Sequence, residues 1–173
     1  MMKANYRIAA LAAAASLLWA APVCAGTWVQ PQGPESPVWM YQEDGSYAAG
    51  WREIDGQWYY FDQDQIMATG WVRALEDGLW YRLDEETGAW IRRPKLDEDA
   101  VRRLLENAVT KSGHYQEENE TEIRIAWKNG HIIYADLVEL TGPNSYTTHN
   151  SYQVDTRSGA VDANIGKDFN LYD

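Results

Sequence analysis

The stretch GWREIDGQWYYFDQDQIMATGW (residues 50–71) decides how this chain is read. It shares Gly70-Trp71 with the segment that follows, GWVRALEDGLWYRLDEETGAW (70–90). A frame of Gly-Trp, then Gly-x-Trp-Tyr-x-apolar, therefore occurs twice, with two residues inserted in the second copy. A looser copy precedes them in Thr27-Trp28, Trp39-Met40-Tyr41 and Asp44-Gly45 up to Gly50. Self-similarity at such a period marks a repeat architecture. Each unit predicts two short strands joined by a Gly-containing turn. In Trp58-Tyr59-Tyr60-Phe61 the strand period of two puts Trp58 and Tyr60 on one face, and Tyr59 and Phe61 on the other. A lone hairpin is marginal in water, whereas stacked hairpins bury their aromatics against the next unit. The expectation for residues 26–93 is an all-β hairpin-repeat solenoid of about three units.

Composition agrees with a folded chain. The 173 residues include nine Trp and eleven Tyr but only two Phe, too aromatic for wholesale disorder. The net charge of −11 excludes non-specific binding to nucleic acid or to anionic lipid, which would repel it. Three His and one Cys supply little for a metal cluster or disulfide framework, so no metal or cofactor is expected.

Residues 1–25 read as a signal peptide. Lys3 and Arg7 form a positive n-region, Ile8–Ala21 an apolar run too short to span a bilayer comfortably, and Val23-Cys24-Ala25 a small-residue cleavage site before Gly26. Lipidation at Cys24 fits less well, because Ala21 and Val23 occupy the positions where such anchors carry Leu and a small residue. Cleavage leaves a chain of net charge −13 without cysteine, expected to be secreted and not inserted in the membrane.

The second half differs. Arg92-Arg93-Pro94-Lys95 is the natural joint, and residues 94–173 predict a small α+β module, one helix on an antiparallel sheet of three or four strands. Asp97 is a helix N-cap, and Val101, Leu104, Leu105, Ala108 and Val109 form one apolar stripe. Ile123, Ile125 and Trp127 alternate as a strand, Asn129-Gly130 signals a hairpin, and Ser145–Asp155 is a further strand. No catalytic motif emerges: His131 and His149 read as solvent-facing, and the acidic segment Glu117–Glu120 as a solvated turn.

Residues 26–92 resemble the choline-binding (cell-wall-binding) repeats of Gram-positive surface proteins, relatives of glucan-binding repeats. The resemblance rests on the two Trp positions, Trp58-Tyr59-Tyr60 and Met67-Ala-Thr-Gly70-Trp71. It implies aromatic cages that hold a quaternary ammonium by cation–π attraction, each lined by two Trp of one repeat and an aromatic of the next. The main site so implied uses Trp51 and Trp58, with Met67 nearby and Tyr81 closing it. An earlier site would use Trp28, Trp39 and Tyr60, and Trp71 and Trp80 are the corresponding pair of the third unit. Two departures stand out. Arg82 replaces the second Tyr of the pattern, where it would repel a cation beside the main cage. Gln65 replaces a glycine two residues before the Met, where it would distort the turn.

The rings admit three uses: choline on teichoic acid, another cell-wall glycan stacking on them, or packing alone. The expected protein is thus secreted, non-catalytic and wall-associated, and its C-terminal module is displayed for an unidentified protein partner. The alternative is an enzyme or enzyme inhibitor in residues 95–173 that the repeats merely localise. Tyr152-x-Val154-Asp155 through Gly159-x-Val161 resembles, over a short stretch, the end of PepSY-type modules, and a cystatin-like fold reads the same way.

Overall fold

The computed structural model describes residues 26–113 and 121–173. The expected signal peptide, His114 and the acidic segment 117–120 lie outside the described residues. From Thr27 to Leu83 the chain is a series of short hairpins. Strands β1 (Thr27–Val29), β2 (Met40–Glu43) and β3 (Ser46–Tyr47) form one antiparallel sheet, β4 (Gly50–Ile54) pairs with β5 (Gln57–Phe61), and β6 (Gly70–Arg73) with β7 (Trp80–Leu83).

Local chemistry sets these hairpins. Asp44-Gly45 and Asp55-Gly56 form two-residue turns with φ of 50° and 80°, and 51° and 77°. Both central residues thus lie in the left-handed region that matches the twist of the flanking strands. The third unit closes instead through the longer Ala74–Leu79 loop, where the Gly78 N–H donates to the Ala74 carbonyl. After each second strand an aspartate organises a tail. Asp62 Oδ1 accepts from the Asp64 and Ile66 N–H groups, and Asp84 Oδ1 from those of Glu86 and Thr87. Those tails return as isolated bridges, Phe61 to Met67 and Leu83 to Trp90.

Neighbouring units are linked by main-chain bonds that repeat in kind. The Met67 N–H donates to the Trp39 carbonyl at 2.7 Å, and the Trp90 N–H to the Trp58 carbonyl at 2.8 Å. Two aromatic-rich cores separate the units. One holds Tyr41, Ala48, Ile54, Phe61 and Met67, the other Tyr60, Ala74 and Leu83.

Residues from Glu98 onward form helix α1 (Glu98–Lys111) on a five-stranded antiparallel meander. Its strands are β8 (Thr121–Asn129), β9 (Ile132–Gly142), β10 (Ser145–Asp155), β11 (Ala160–Ala163) and β12 (Phe169–Asn170), in the order β12-β11-β10-β9-β8. Asp97 caps the helix, its carboxylate accepting from the Ala100 N–H at 2.8 Å. Val101, Leu105 and Val109 bury against Ile123, Ile133, Leu137 and Val154, each large side chain contributing about 1.5–3 kcal/mol. The C-terminus is tied back to the joint, where the Tyr172 hydroxyl donates to the Pro94 carbonyl and Arg93 lies 5.5 Å from the Tyr172 ring.

Three expectations for this half are corrected. The sheet has five strands, not three or four, because Phe169–Asn170 adds a short edge. The hairpin loop is Gly130-His131, with Asn129 paired to Ile132, one residue beyond the expected turn. Trp127 does not share a face with Ile123 and Ile125. A register shift between Ile125 and Trp127 inserts one residue and reverses the alternation. Trp127 therefore stacks on Tyr134 at 3.9 Å on the face away from the helix and is half exposed.

Candidate functional site

The repeat frame builds two ring constellations from the same positions. In the second, Trp51 stands at the centre, with ring centroids 6.5 Å from Trp58, 5.2 Å from Tyr60, 4.8 Å from Tyr81 and 6.0 Å from Trp90. Interplanar angles of 63–74° make these edge-on contacts, so the rings stand as walls around one another and are not stacked face to face. Trp51 and Trp58 belong to one unit, Tyr81 and Trp90 to the next. Trp58 is 42% exposed, and Trp51, Tyr81 and Trp90 are half-buried. The constellation thus opens to solvent on the Trp58 side, while Tyr60, buried, closes its floor and donates nothing to it: its hydroxyl accepts from the Leu75 N–H.

The first constellation centres on Trp28, with centroids 6.3 Å from Trp39, 5.1 Å from Tyr41 and 5.1 Å from Tyr59. Each position has its counterpart one unit on: Trp28 and Trp51, Trp39 and Trp58, Tyr41 and Tyr60, Tyr59 and Tyr81. Met67 packs in this first core, at the place that Trp90 takes in the second, and both donate the bond to the preceding unit's second Trp.

Two assignments from the sequence change accordingly. Tyr60 does not join Trp28 and Trp39; Tyr59 does. Strand alternation turns Tyr59 and Phe61 back toward the preceding unit, and Trp58 and Tyr60 toward the following one. Met67 lies with Trp28 and Trp39, not in the Trp51 core, because the tail of each unit folds back onto the unit before it. Trp90 is the residue that the sequence reading left out. Its signal was present, since Gly88-Ala89-Trp90 ends the third tail, one residue longer, as Gln65-Ile66-Met67 ends the second, and the equivalence of the two tail ends was not carried into the site.

Arg82 likewise lies elsewhere than expected. On β7, Tyr81 and Leu83 face the Trp51 side, whereas Arg82 and Trp80 face the C-terminal module. Arg82 pairs with Glu85 at 2.9 Å, and its guanidinium lies 5.9 Å from the Trp71 ring. The cation beside the Trp51 constellation is instead exposed Arg92, 5.4 Å from the Trp90 ring. Nor does Gln65 distort its turn. It adopts φ of 65°, as Gly88 adopts 74° in the third unit, and the Gln65 N–H reaches the Asp62 carbonyl at 3.0 Å.

Both signs of charge border these rings, Arg92 at Trp90 and two carboxylates at the tyrosines. Glu76 and Asp77 lie near Tyr60 and Tyr81; burial, followed by the bond to the Asp77 carboxylate, pushes the Tyr81 phenol far above its ordinary value. Tyr81 therefore stays neutral at any physiological pH and presents a ring without a charge of its own.

Trp71 and Trp80 form no comparable opening. Trp71 packs on the C-terminal core, and the Trp80 indole N–H donates to Glu106 of α1 at 2.8 Å. A cavity of about 650 Å³ lies away from the rings, between α1 and the outer strands of the meander, where Leu104, Leu137, Tyr152 and Phe169 supply apolar walls. His149 stands at that cavity and meets Glu139 at 2.8 Å. Among the described residues, no group of three or more His, Cys, Asp or Glu side chains is placed to hold a metal ion.

Comparison with known proteins bears on the repeats. Residues 48–93 match the family model of the choline-binding repeat. Among solved structures, CbpJ from Streptococcus pneumoniae TIGR4 is 30% identical over 37% of this chain and 20% of its own length, with a TM-score of 0.32. Choline binding protein F from Streptococcus pneumoniae is 21% identical over 77% of this chain and 41% of its own, with a TM-score of 0.38. A multimodular pneumococcal cell wall endolysin from phage Cp-1, complexed with choline, is 16% identical over 77% and 36%, with a TM-score of 0.22. The chain thus spans between a fifth and about two fifths of the length of these structures. No curated protein matches it.

Proposed function

We propose, from the premise that residues 48–93 are choline-binding repeats, that the two ring constellations are cages for quaternary ammonium groups. The natural ligand is choline carried on cell-wall teichoic acid, so the repeats tether the chain to the envelope. The observation that carries this reading is the second constellation: Trp51 and Trp58 of one unit, and Tyr81 and Trp90 of the next, meet edge-on at 4.8–6.5 Å around Trp51, with Trp58 42% exposed at the solvent edge. A quaternary ammonium cannot donate a hydrogen bond, so ring faces and methyl contacts are what can hold it, on the order of 1–2 kcal/mol per ring. The acidic surplus of the chain adds a long-range attraction for cations.

The protein so read is exported, non-catalytic and stacked as a short hairpin solenoid, and it presents residues 94–173 to a partner. The cavity beside α1 favours a module that binds something there. This leaves the alternative, an inhibitor or enzyme localised by the repeats, as the second reading.

Titration of the chain with choline chloride, followed by tryptophan fluorescence against sodium chloride at equal ionic strength, tests the proposal. A saturable response is expected, weakened about tenfold in Trp58→Ala, which corresponds to about 1.4 kcal/mol for a partly exposed ring. A flat trace would remove the choline reading and leave glycan stacking or packing alone.

A further inference from the structure

Trp71 and Trp80 repeat the positions of Trp51 and Trp58, yet no fourth unit follows to close a third cage. Helix α1 stands in that space. Each unit's second Trp offers a carbonyl to its successor: the Trp39 carbonyl accepts from the Met67 N–H, and the Trp58 carbonyl from the Trp90 N–H. The third such carbonyl, that of Trp80, accepts from the Asn107 side-chain amide at 2.7 Å. Asn107 completes the match by accepting the Trp80 N–H through its Oδ1, also at 2.7 Å. One turn earlier on the same helix face, Arg103 places its guanidinium carbon 4.1 Å from the Trp80 ring and 5.6 Å from the Trp71 ring. Its Nε–H donates to Asp99 at 3.0 Å, which fixes the head over the rings. A cation thus lies between two Trp at the same repeat positions as the first two walls of the other constellations.

We propose that α1 takes the place of a fourth repeat, with Asn107 supplying the hydrogen bond of the missing unit and Arg103 filling the third cage as a cation held in cis. The filled cage is what seats the C-terminal module on the repeats. Its ligand class, guanidinium in place of quaternary ammonium, rests on the reading of the other two constellations as cation sites. Arg82 enters the same account. It occupies the position that Tyr41 and Tyr60 hold as floors in the first and second units, so the third cage has a basic floor, neutralised by Glu85 at 2.9 Å, as well as a basic plug.

Three measurements on the full chain test this. In a proton–carbon spectrum, the Arg103 Hδ signals are expected upfield of the free arginine position, because the Trp80 ring current acts on them, and are expected to return toward it in Trp80→Leu; signals that do not differ between the two proteins overturn the proposal without reference to any ligand. Calorimetric titration with choline chloride then counts sites. Two are expected for the unmodified chain and for Arg103→Gln, because the third Trp pair still lacks the aromatic wall of a following unit. Arg103→Gln should lower the hydrogen-exchange protection of the Trp80 amide about tenfold, and Arg103→Lys should keep most of it. A third site in the unmodified chain, or unchanged Trp80 protection in Arg103→Gln, overturns it. If the unmodified chain binds no choline, the tether reading fails, and the in-cis plug is then decided by the arginine signal.

Discussion

Replacing Asn107 by alanine removes both hydrogen bonds between α1 and the Trp80 main chain, each 2.7 Å long, and leaves the bond from the Trp80 indole to Glu106. The Trp80 N–H and C=O would be left facing a methyl group. Leaving a fully buried backbone group unpaired costs about 1–3 kcal/mol. Trp80 is half-buried, so water recovers part of that loss, and the low end applies to each group. The expected cost is about 2 kcal/mol, or roughly a thirtyfold shift of the docking equilibrium between helix and repeats. Amide hydrogen exchange reads it directly. The Trp80 amide should lose about thirtyfold in protection in Asn107→Ala, whereas amides paired within β9 and β10, remote from the junction, should keep theirs. Urea unfolding followed by tryptophan fluorescence should show the repeats melting earlier relative to the module. Unchanged Trp80 exchange, together with a stability change under about 0.5 kcal/mol, would refute the reasoning, because the two bonds would then be no better than bonds to water.

Two further predictions concern other positions. Gln65 holds φ of 65° where the third unit uses glycine; relief of that conformation outweighs the extra backbone entropy of glycine, so Gln65→Gly should stabilise by about 0.5–1 kcal/mol and raise the melting temperature by about 1–3 °C, and a lower melting temperature would contradict it. Burial holds the Glu106 carboxyl above its ordinary value of 4.5 despite the bond from the Trp80 indole and the nearby arginines. The folded state thus binds this proton more tightly than the unfolded one, so Glu106 contributes a loss of stability as pH rises from about 4.5 through the raised folded value. Glu106→Gln should remove that part of the slope in melting curves taken across the window, and parallel curves for the two proteins would refute the assignment.

How much of this was legible in the sequence varies with the range of the interaction. The Gly-Trp spacing and the Asp-Gly pairs placed the hairpins, because turn chemistry and strand alternation are local. The Asp97 cap and the stripe through Val101, Leu105 and Val109 placed the helix for the same reason. Tyr59 could have been assigned to Trp28 from the alternation itself, once each strand is seen to lie between two cores and to serve both. The places of Met67 and Trp90 were harder, since the tails that carry them fold backward onto the preceding unit through main-chain bonds that no local pattern marks. The shift that turns Trp127 outward left no mark in an otherwise regular alternation. Arg103 was not legible as a neighbour of Trp71 and Trp80, for nothing in a surface arginine on an amphipathic helix names its tertiary partner. The one available hint was an unfinished pattern, a third Trp pair with no unit after it.

The seat of α1 lies wholly on the last unit: its pair of outward Trp rings and the main chain of the second. Duplication or deletion of a whole unit upstream would leave that seat untouched. Unequal recombination within the coding sequence could therefore lengthen or shorten the array without redesigning the module, and avidity for a polymeric ligand would change in whole-unit steps while the C-terminal fold stayed constant.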